Sequence, residues 1–253
     1  MNTQTPQRLR AAPAQGGFTL VELMVTVGIA LFLLGGLVTI MQNVRQSNLS
    51  QTKLNTLQDA ERFALTVLTD AIQVGGYIAN PLTDSTSTFP AVGLFPQGSA
   101  FAGQHLPVGA PDNQAQDVIE TRFDTQPGNG PILCNGVDSS LEGVATSYTV
   151  VFSVVGDQLQ CTVNGGPVVT LVTGVHAMAV YYGVNRNAPG ADYNIDTYVT
   201  ADMLQLPNDY LTISAVRIVL SFDNPNYVVG GTQLPYVTIE RVIQVMGRAG
   251  VVI

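Results

Sequence analysis

The stretch that decides the fold is Gly16-Gly17-Phe18-Thr19-Leu20-Val21-Glu22, which runs directly into the apolar segment 23–41. Between Phe18 and Met41 the only charged residue is Glu22. A helix rises about 1.5 Å per residue, so this segment is long enough to cross the hydrocarbon core of a bilayer, which is about 30 Å thick. The sequence therefore predicts a membrane-spanning helix near the N-terminus.

The small residues next to this helix precede the apolar run, whereas in an ordinary secretory signal they follow it. A secretory signal peptide is cleaved after its apolar run, at small residues. Here Gly16 and Gly17 precede the apolar run and follow a polar leader that contains Arg8 and Arg10 and no acidic residue. Cleavage at these glycines would leave the helix on the mature protein, and the basic leader favours a cytoplasmic N-terminus.

The residues Gly17, Phe18, Thr19, Leu20 and Glu22, together with the apolar run after them, resemble the type III signal of type IV pilins and pseudopilins. The resemblance implies that a prepilin peptidase cuts between Gly17 and Phe18 and that Phe18 becomes the N-methylated first residue. Glu22 then occupies the glutamate position of the family, the fifth of the mature chain. A plain N-terminal membrane anchor is the alternative.

Glu22 points to a partner on physical grounds. A carboxylate inside an apolar membrane helix costs roughly a few kcal/mol and normally marks a functional position or a partner. No Lys or Arg lies within two turns of Glu22 on its C-terminal side. The family resemblance implies that the partner is the N-terminal amine of a neighbouring subunit, which stays cationic after methylation. The alternative is a side chain near enough to the interface to reach water.

The whole-chain composition limits the classes of partner. The chain has 253 residues and a net charge of −8, and loss of Arg8 and Arg10 with the leader lowers it to −10. Lys53 is the only lysine. Because phosphate binding needs clustered cations, no nucleic-acid groove is expected on the mature protein.

The helix is predicted to continue well beyond the membrane. Apolar residues at three- and four-residue spacing form a stripe typical of an amphipathic helix, and Gly75-Gly76 is expected to end it. The stripe consists of Leu57, Ala60, Ala64, Val67, Leu68 and Ala71. Gly28, Gly35 and Gly36 interrupt the apolar half; they either loosen the helix or allow close packing against a neighbour.

The rest of the chain is predicted to form mainly β-strands. Alternation and turn residues predict strands at 118–123, 147–155, 158–163, 168–172, 175–182, 213–222 and 236–246, with loops at 78–116 and 183–210. Residues Val216, Ile218, Leu220 and Phe222 are expected to face the core. The predicted fold class is α+β and pilin-like, with a long N-terminal helix whose second half packs on an antiparallel β-sheet.

Four segments follow from this organisation. They are a leader at 1–17, a transmembrane or fibre-core helix at 18–41, its amphipathic second half at 42–77, and an exported β-rich domain at 78–253. The expected location is the inner membrane, with one span and the C-terminal domain exported, followed by the pilus fibre at the cell surface.

A second resemblance lies in the amphipathic half. The run Leu57-Gln58-Asp59-Ala60-Glu61-Arg62-Phe63-Ala64-Leu65, followed by Gly75-Gly76-Tyr77, is similar to the PilW-type minor pilins, as are shorter pieces at 174–176, 182–184, 200–203 and 215–218. This implies a structural, non-enzymatic subunit that initiates or caps a type IV pilus for adhesion, twitching or DNA uptake. Its implied partners are other minor pilins, the major pilin, the inner-membrane assembly machinery and membrane lipid.

Two alternatives to a pilus subunit stay open. One is a minor pseudopilin of type II secretion, which belongs to the same superfamily. The other is a membrane-anchored periplasmic enzyme or ligand-binding domain. The chain contains neither a nucleophile elbow nor a phosphate-binding glycine loop, and its two histidines leave little for acid–base chemistry. No catalytic residue and no cofactor is therefore predicted.

Cys134 and Cys161 are the only cysteines. On the exported side of a membrane, two cysteines in one domain most often form a disulfide, and two buried thiols are the alternative. No zinc site is expected, because His105 and His176 are isolated and no Cys-x-x-Cys is present.

One segment partly resembles a calcium loop. Asp192, Asn194 and Asp196 alternate as in an EF-hand, but Thr197 replaces the glycine and Met203 the closing glutamate. A solvated loop is the simpler interpretation, and no metal site is predicted.

Overall fold

A computed structural model describes residues 17–80, 82–107, 115–144, 146–187, 194–205 and 208–246. The chain divides into two compact units, Met1–Gln51 and Thr52–Ile253. The longest helix, α1 (Leu20–Val74), contributes residues to both units. The predicted leader, apart from Gly17, lies outside the described residues.

The first unit contains the apolar half of α1. Its side chains are exposed from Phe18 to Leu49, and by length and composition α1 is able to cross a membrane. The helix is continuous through Gly28, Gly35 and Gly36, and a Cβ atom at each would meet nothing within 4 Å. No contact within the described chain therefore requires glycine at these three positions.

The second unit begins with the amphipathic half of α1. Ala64, Leu68 and Ile72 are completely buried. Six further residues pack against the same core: Leu57, Ala60, Leu65, Val67, Ala71 and Val74. The predicted stripe is thus the face of α1 that packs against the rest of the domain, and Ile72 extends it.

The helix ends where the sequence predicts. Gly76 has φ +79°, the left-handed conformation that glycine adopts without strain. A Cβ atom on Gly75 would lie 2.5 Å from the ring of Phe101. Glycine is required at both positions, by conformation at Gly76 and by close packing at Gly75.

The described strands form two antiparallel sheets. The first contains β1 (Phe101–Gln104), β2 (Val118–Thr125), β3 (Thr146–Val155), β4 (Gln158–Val163) and β5 (Val169–Thr173), paired in chain order. The two residues left between the predicted strands 147–155 and 158–163, Gly156 and Asp157, form the turn that joins β3 to β4, and Gly156 has φ +66°.

The second sheet has the order β7-β6-β8-β9, and contains β6 (Val175–Val184), β7 (Thr197–Val199), β8 (Ala215–Asp223) and β9 (Tyr236–Gln244). Only Gly174, at φ +78°, separates β5 from β6, so the chain changes sheets across one residue. The predicted core residues of β8 are confirmed, because Val216, Ile218, Leu220 and Phe222 are completely buried.

The predicted α+β class is confirmed, with two sheets in place of the single sheet expected. Several short elements were not predicted, and they lie mainly within the two loop regions. They are α2 (Ser85–Thr88), β1, β7, α3 (Asn208–Thr212) and 3-10 helices at Ser139–Leu141 and Ala201–Met203. Each has three to five residues, which is too short for a periodic pattern to be recognised.

Candidate functional site

The start of α1 is organised by Thr19. The Glu22 amide donates to Thr19 Oγ1 at 3.3 Å, and the Leu23 amide donates to the Thr19 carbonyl at 3.2 Å. Thr19 is therefore the N-cap and Glu22 the third helical residue, which is the Thr-x-x-Glu spacing of a capping box. Our sequence analysis missed this role, although the Thr-x-x-Glu spacing was a sufficient signal for it.

This position gives Glu22 a favourable electrostatic environment. A carboxylate in the first turn interacts with the positive end of the helix macrodipole by about 0.3–1 kcal/mol. The ion pairs found in the described chain are His105–Asp117, Arg186–Asp209 and Arg217–Glu240. Within the described residues Glu22 thus has the helix N-terminus and no cationic side chain opposite it.

The predicted cleavage junction lies just outside this helix. Gly17 and Phe18 have no regular secondary structure, and the Phe18 side chain is 79% exposed. A Cβ atom on Gly17 would meet nothing within 4 Å, so the described chain leaves the junction uncovered. Cleavage between these residues and methylation of Phe18 remain predictions.

The second unit contains a buried cation, Arg122, for which no carboxylate partner is found among the described residues. Arg122 on β2 is 3% exposed, and its guanidinium lies 5.1 Å from the ring centroid of Phe89 and 4.5 Å from that of Phe95. It donates to four backbone carbonyls, those of Phe89, Pro90, Pro96 and Ser99, at 2.6–3.3 Å. Burial lowers the pKa of Arg122 to about 10, so the group is still protonated at neutral pH. Arg122 therefore binds the loop before β1 to the face of β2 opposite to that of the core residues Ile119 and Phe123.

Two buried aspartates connect other segments in the same way. Asp117 accepts hydrogen bonds from the amides of Leu106 and Val180 and lies 2.8 Å from His105 Nδ1. Asp209 is 3% exposed and forms a bidentate pair with Arg186, whose pKa is raised mainly by this hydrogen bonding. Both groups have protein partners, which accounts for their burial.

The structure joins Cys134 to Cys161 in a disulfide, with the Cα atoms 6.5 Å apart. Cys161 lies on β4 and Cys134 in the segment between β2 and β3. The bond therefore attaches that segment to the first sheet.

Loss of this disulfide should destabilise the second unit, Thr52–Ile253. The two cysteines are 27 residues apart, and closing a loop of this length stabilises by about 3 kcal/mol in the chain-entropy model. We expect Cys134→Ala to lower the melting temperature, measured by circular dichroism. Cys161→Ala and the double variant should give the same decrease, because all three remove one bond. Two reactive thiols in freshly isolated native protein would contradict the pairing.

Groups that could hold a metal ion are absent from the described residues, where no cluster of three or more His, Cys, Asp or Glu side chains occurs. Of the partial calcium loop, Asp192 and Tyr193 lie outside those residues. Asp196 Oδ2 accepts hydrogen bonds from the amides of Arg186 and Asn187, at 2.9 and 2.7 Å.

A cavity of ≈ 330 Å³ lies between α1 and the segment held by the disulfide. Its lining is mainly apolar, with Phe63, Val67, Ile132 and Leu133 among its residues, and Asp70 is its one charged residue. One carboxylate without a described acid, base or nucleophile beside it does not form a catalytic arrangement.

Comparison with known proteins supports the N-terminal motif. The family model described as "Prokaryotic N-terminal methylation motif" matches residues 13–38, which include the junction, Thr19 and Glu22. No curated protein matches the chain.

Two solved structures are distantly similar to this chain. A type IV-like pilin from Thermus thermophilus is 16% identical, with a TM-score of 0.42, over 76% of this chain and 98% of that one. A binary complex of two pseudopilins from the Type 2 Secretion System of Vibrio vulnificus gives 11% identity and a TM-score of 0.36, over 78% of this chain and 95% of the other. The match to residues 13–38 carries more weight, because it identifies a prokaryotic N-terminal methylation motif in the segment that contains Gly17, Phe18 and Glu22.

Proposed function

We propose that this chain is a non-enzymatic minor pilin, a structural subunit that initiates or caps a type IV pilus. The observation that carries the proposal is the methylation motif at residues 13–38, placed on a helix that begins at Leu20 and is exposed along its apolar half. An exposed apolar helix needs a membrane or other subunits around it. Pilin assembly supplies both environments in turn.

The proposed sequence of events uses residues at the start of α1. A prepilin peptidase cuts between Gly17 and Phe18, and the new N-terminus is methylated. The helix holds the subunit in the inner membrane until it joins other minor pilins, the major pilin and the assembly machinery. Glu22 then pairs with the N-terminal amine of a neighbouring subunit. The N-cap at Thr19 supports this role, because its bond to the Glu22 amide holds Glu22 in the first turn of α1, near the proposed mature N-terminus at Phe18.

Processing tests the first step. Gly17→Val should block cleavage, because the peptidase must fit a small residue beside the scissile bond. Mass spectrometry of the wild-type protein should find a mature N-terminus at Phe18 that carries one added methyl group. Gly28→Val is the matched control, since it makes the same change eleven residues away, where a Cβ atom meets nothing within 4 Å. A mature chain that begins elsewhere than Phe18 would rule out this processing.

Co-purification tests the assembly role. Affinity-tagged full-length protein, extracted in mild detergent, should retain pilin subunits, and deletion of its gene should lower the yield of surface pili. Retention of type II secretion components with normal pili would instead assign the chain to the secretion system. An activity that survives both Gly17→Val and Glu22→Ala would favour an anchored enzyme.

A further inference from the structure

The described strands leave four sheet edges, and β9 differs from the other three. Edge strands are normally protected by shortness, bulges or charged residues, since their unpaired backbone groups can pair with another chain. β1, β5 and β7 have four, five and three residues. The pairing of β5 is also shifted between Leu159 and Gln160. Shortness or irregularity thus protects these three edges.

β9 is neither short nor irregular, and its protection is limited to two charged residues, Arg241 and Glu240, the second of which pairs with Arg217 on β8. It has nine residues, all paired with β8 in one continuous register from Tyr236↔Asp223 to Gln244↔Ala215. It contains no proline and no glycine. Among the described residues no strand pairs with its other side, and five of its nine side chains are exposed.

We propose that the free edge of β9 binds an extended strand of a different pilin subunit and so continues the four-stranded sheet into the partner. The backbone of an edge strand offers alternating N–H donors and carbonyl acceptors, a pattern that an extended polypeptide matches along its whole length. The nature of the partner as a pilin rests on the proposed function, but the strand-to-strand contact does not.

The charges on β9 favour a non-identical strand over a second copy. Glu240 and Arg241 are adjacent and therefore point to opposite faces of the sheet. Two copies paired antiparallel over all nine residues place Glu240 opposite Glu240, and a shift of the centre by one residue toward Gln244 places Arg241 opposite Arg241. A shift of the centre by one residue toward Tyr236 avoids both clashes but leaves two of the nine residues unpaired. Like charges directly opposite each other destabilise a sheet. A different strand is able to place a cation opposite Glu240 and an anion opposite Arg241.

Photo-crosslinking tests the contact and its register. A photoreactive amino acid is introduced in turn at Thr238, Glu240 and Val242, which lie on one face of β9 and are exposed. The full-length protein is irradiated in cells, and the adducts are mapped by mass spectrometry. We expect the crosslinked residue to move by two positions along one strand of one pilin partner at each step.

A charge variant provides a second readout. Glu240→Lys combined with Arg241→Glu should abolish the adduct from Val242, while Asp157→Lys, in the exposed β3–β4 turn, should leave it unchanged. Circular dichroism of each purified variant separates loss of binding from loss of folding: a folded double variant with the wild-type adduct would overturn the charge argument.

The outcomes separate this proposal from the proposed function. Absence of any adduct while pilins still co-purify, adducts without a register, or adducts to a second copy would overturn the edge contact alone. Adducts in register with a strand of a protein outside the pilin superfamily would uphold the contact and overturn the pilin role.

Discussion

Arg122→Met is expected to lower the free energy of unfolding of the unit Thr52–Ile253 by about 2–4 kcal/mol, since it removes the hydrogen bonds of a charged donor and leaves the buried Ser99 carbonyl without one, at roughly 1–3 kcal/mol for that group. The carbonyls of Phe89 and Pro96 keep the amides of Gly98 and Ser99 as donors, so the substitution leaves those of Pro90 and Ser99 unpaired. Of these two residues Pro90 is exposed and Ser99 is buried. Methionine keeps most of the aliphatic volume, so a cavity contributes little. The loop between α2 and β1 should become accessible to limited proteolysis.

Arg122→Lys and Arg62→Met are the controls. Lysine keeps the charge but presents a compact ammonium in place of a planar five-donor fork, so an intermediate loss is expected. Arg62 is exposed on α1, and its substitution should change stability by less than about 0.5 kcal/mol. Thermal unfolding followed by circular dichroism measures all three variants. A melting temperature for Arg122→Met equal to that of Arg62→Met would show that the carbonyls find other donors.

Arg122 also illustrates what the sequence could not reveal. The alternation in residues 118–123 predicted the strand, and the loop composition of 78–116 predicted a covering segment, but nothing local connected the two. The partners of Arg122 lie 23 to 33 residues earlier in the chain, and the Arg186–Asp209 pair is also separated by 23 residues. Such contacts depend on the tertiary arrangement and leave no periodic signal.

Patterns confined to a few residues were more informative. The glycines at 75 and 76, the Gly156-Asp157 turn and the inward face of β8 were predicted from spacing alone, because each depends on local conformation or on the two-residue period of a strand. The N-cap at Thr19, with its Thr-x-x-Glu spacing to Glu22, is also a pattern confined to a few residues. It was overlooked because the run was interpreted only as a processing signal.

Glu22→Ala is expected to abolish incorporation of the subunit while leaving its insertion and cleavage intact. Removal of one member of a buried charge pair typically costs about 3–5 kcal/mol, because the other charge is left buried and unpaired. The partner would be the N-terminal amine of a neighbouring subunit. Alanine makes the helix easier to insert, and the Gly17–Phe18 bond is unchanged. The measurement is co-purification of pilin partners, together with pilus yield, at matched expression.

Two further variants separate the effect of the Glu22 charge from the stability of the first turn of α1. Glu22→Gln keeps the residue type that a capping box accepts at this position and removes the charge. Thr19→Ala removes the N-cap hydroxyl, which costs about 1 kcal/mol, and keeps the charge. If Glu22 acts through its charge, Glu22→Gln should fail to assemble nearly as completely as Glu22→Ala, and Thr19→Ala should assemble. The reverse order, with Thr19→Ala defective and Glu22→Gln normal, would restrict Glu22 to stabilising the first turn of α1.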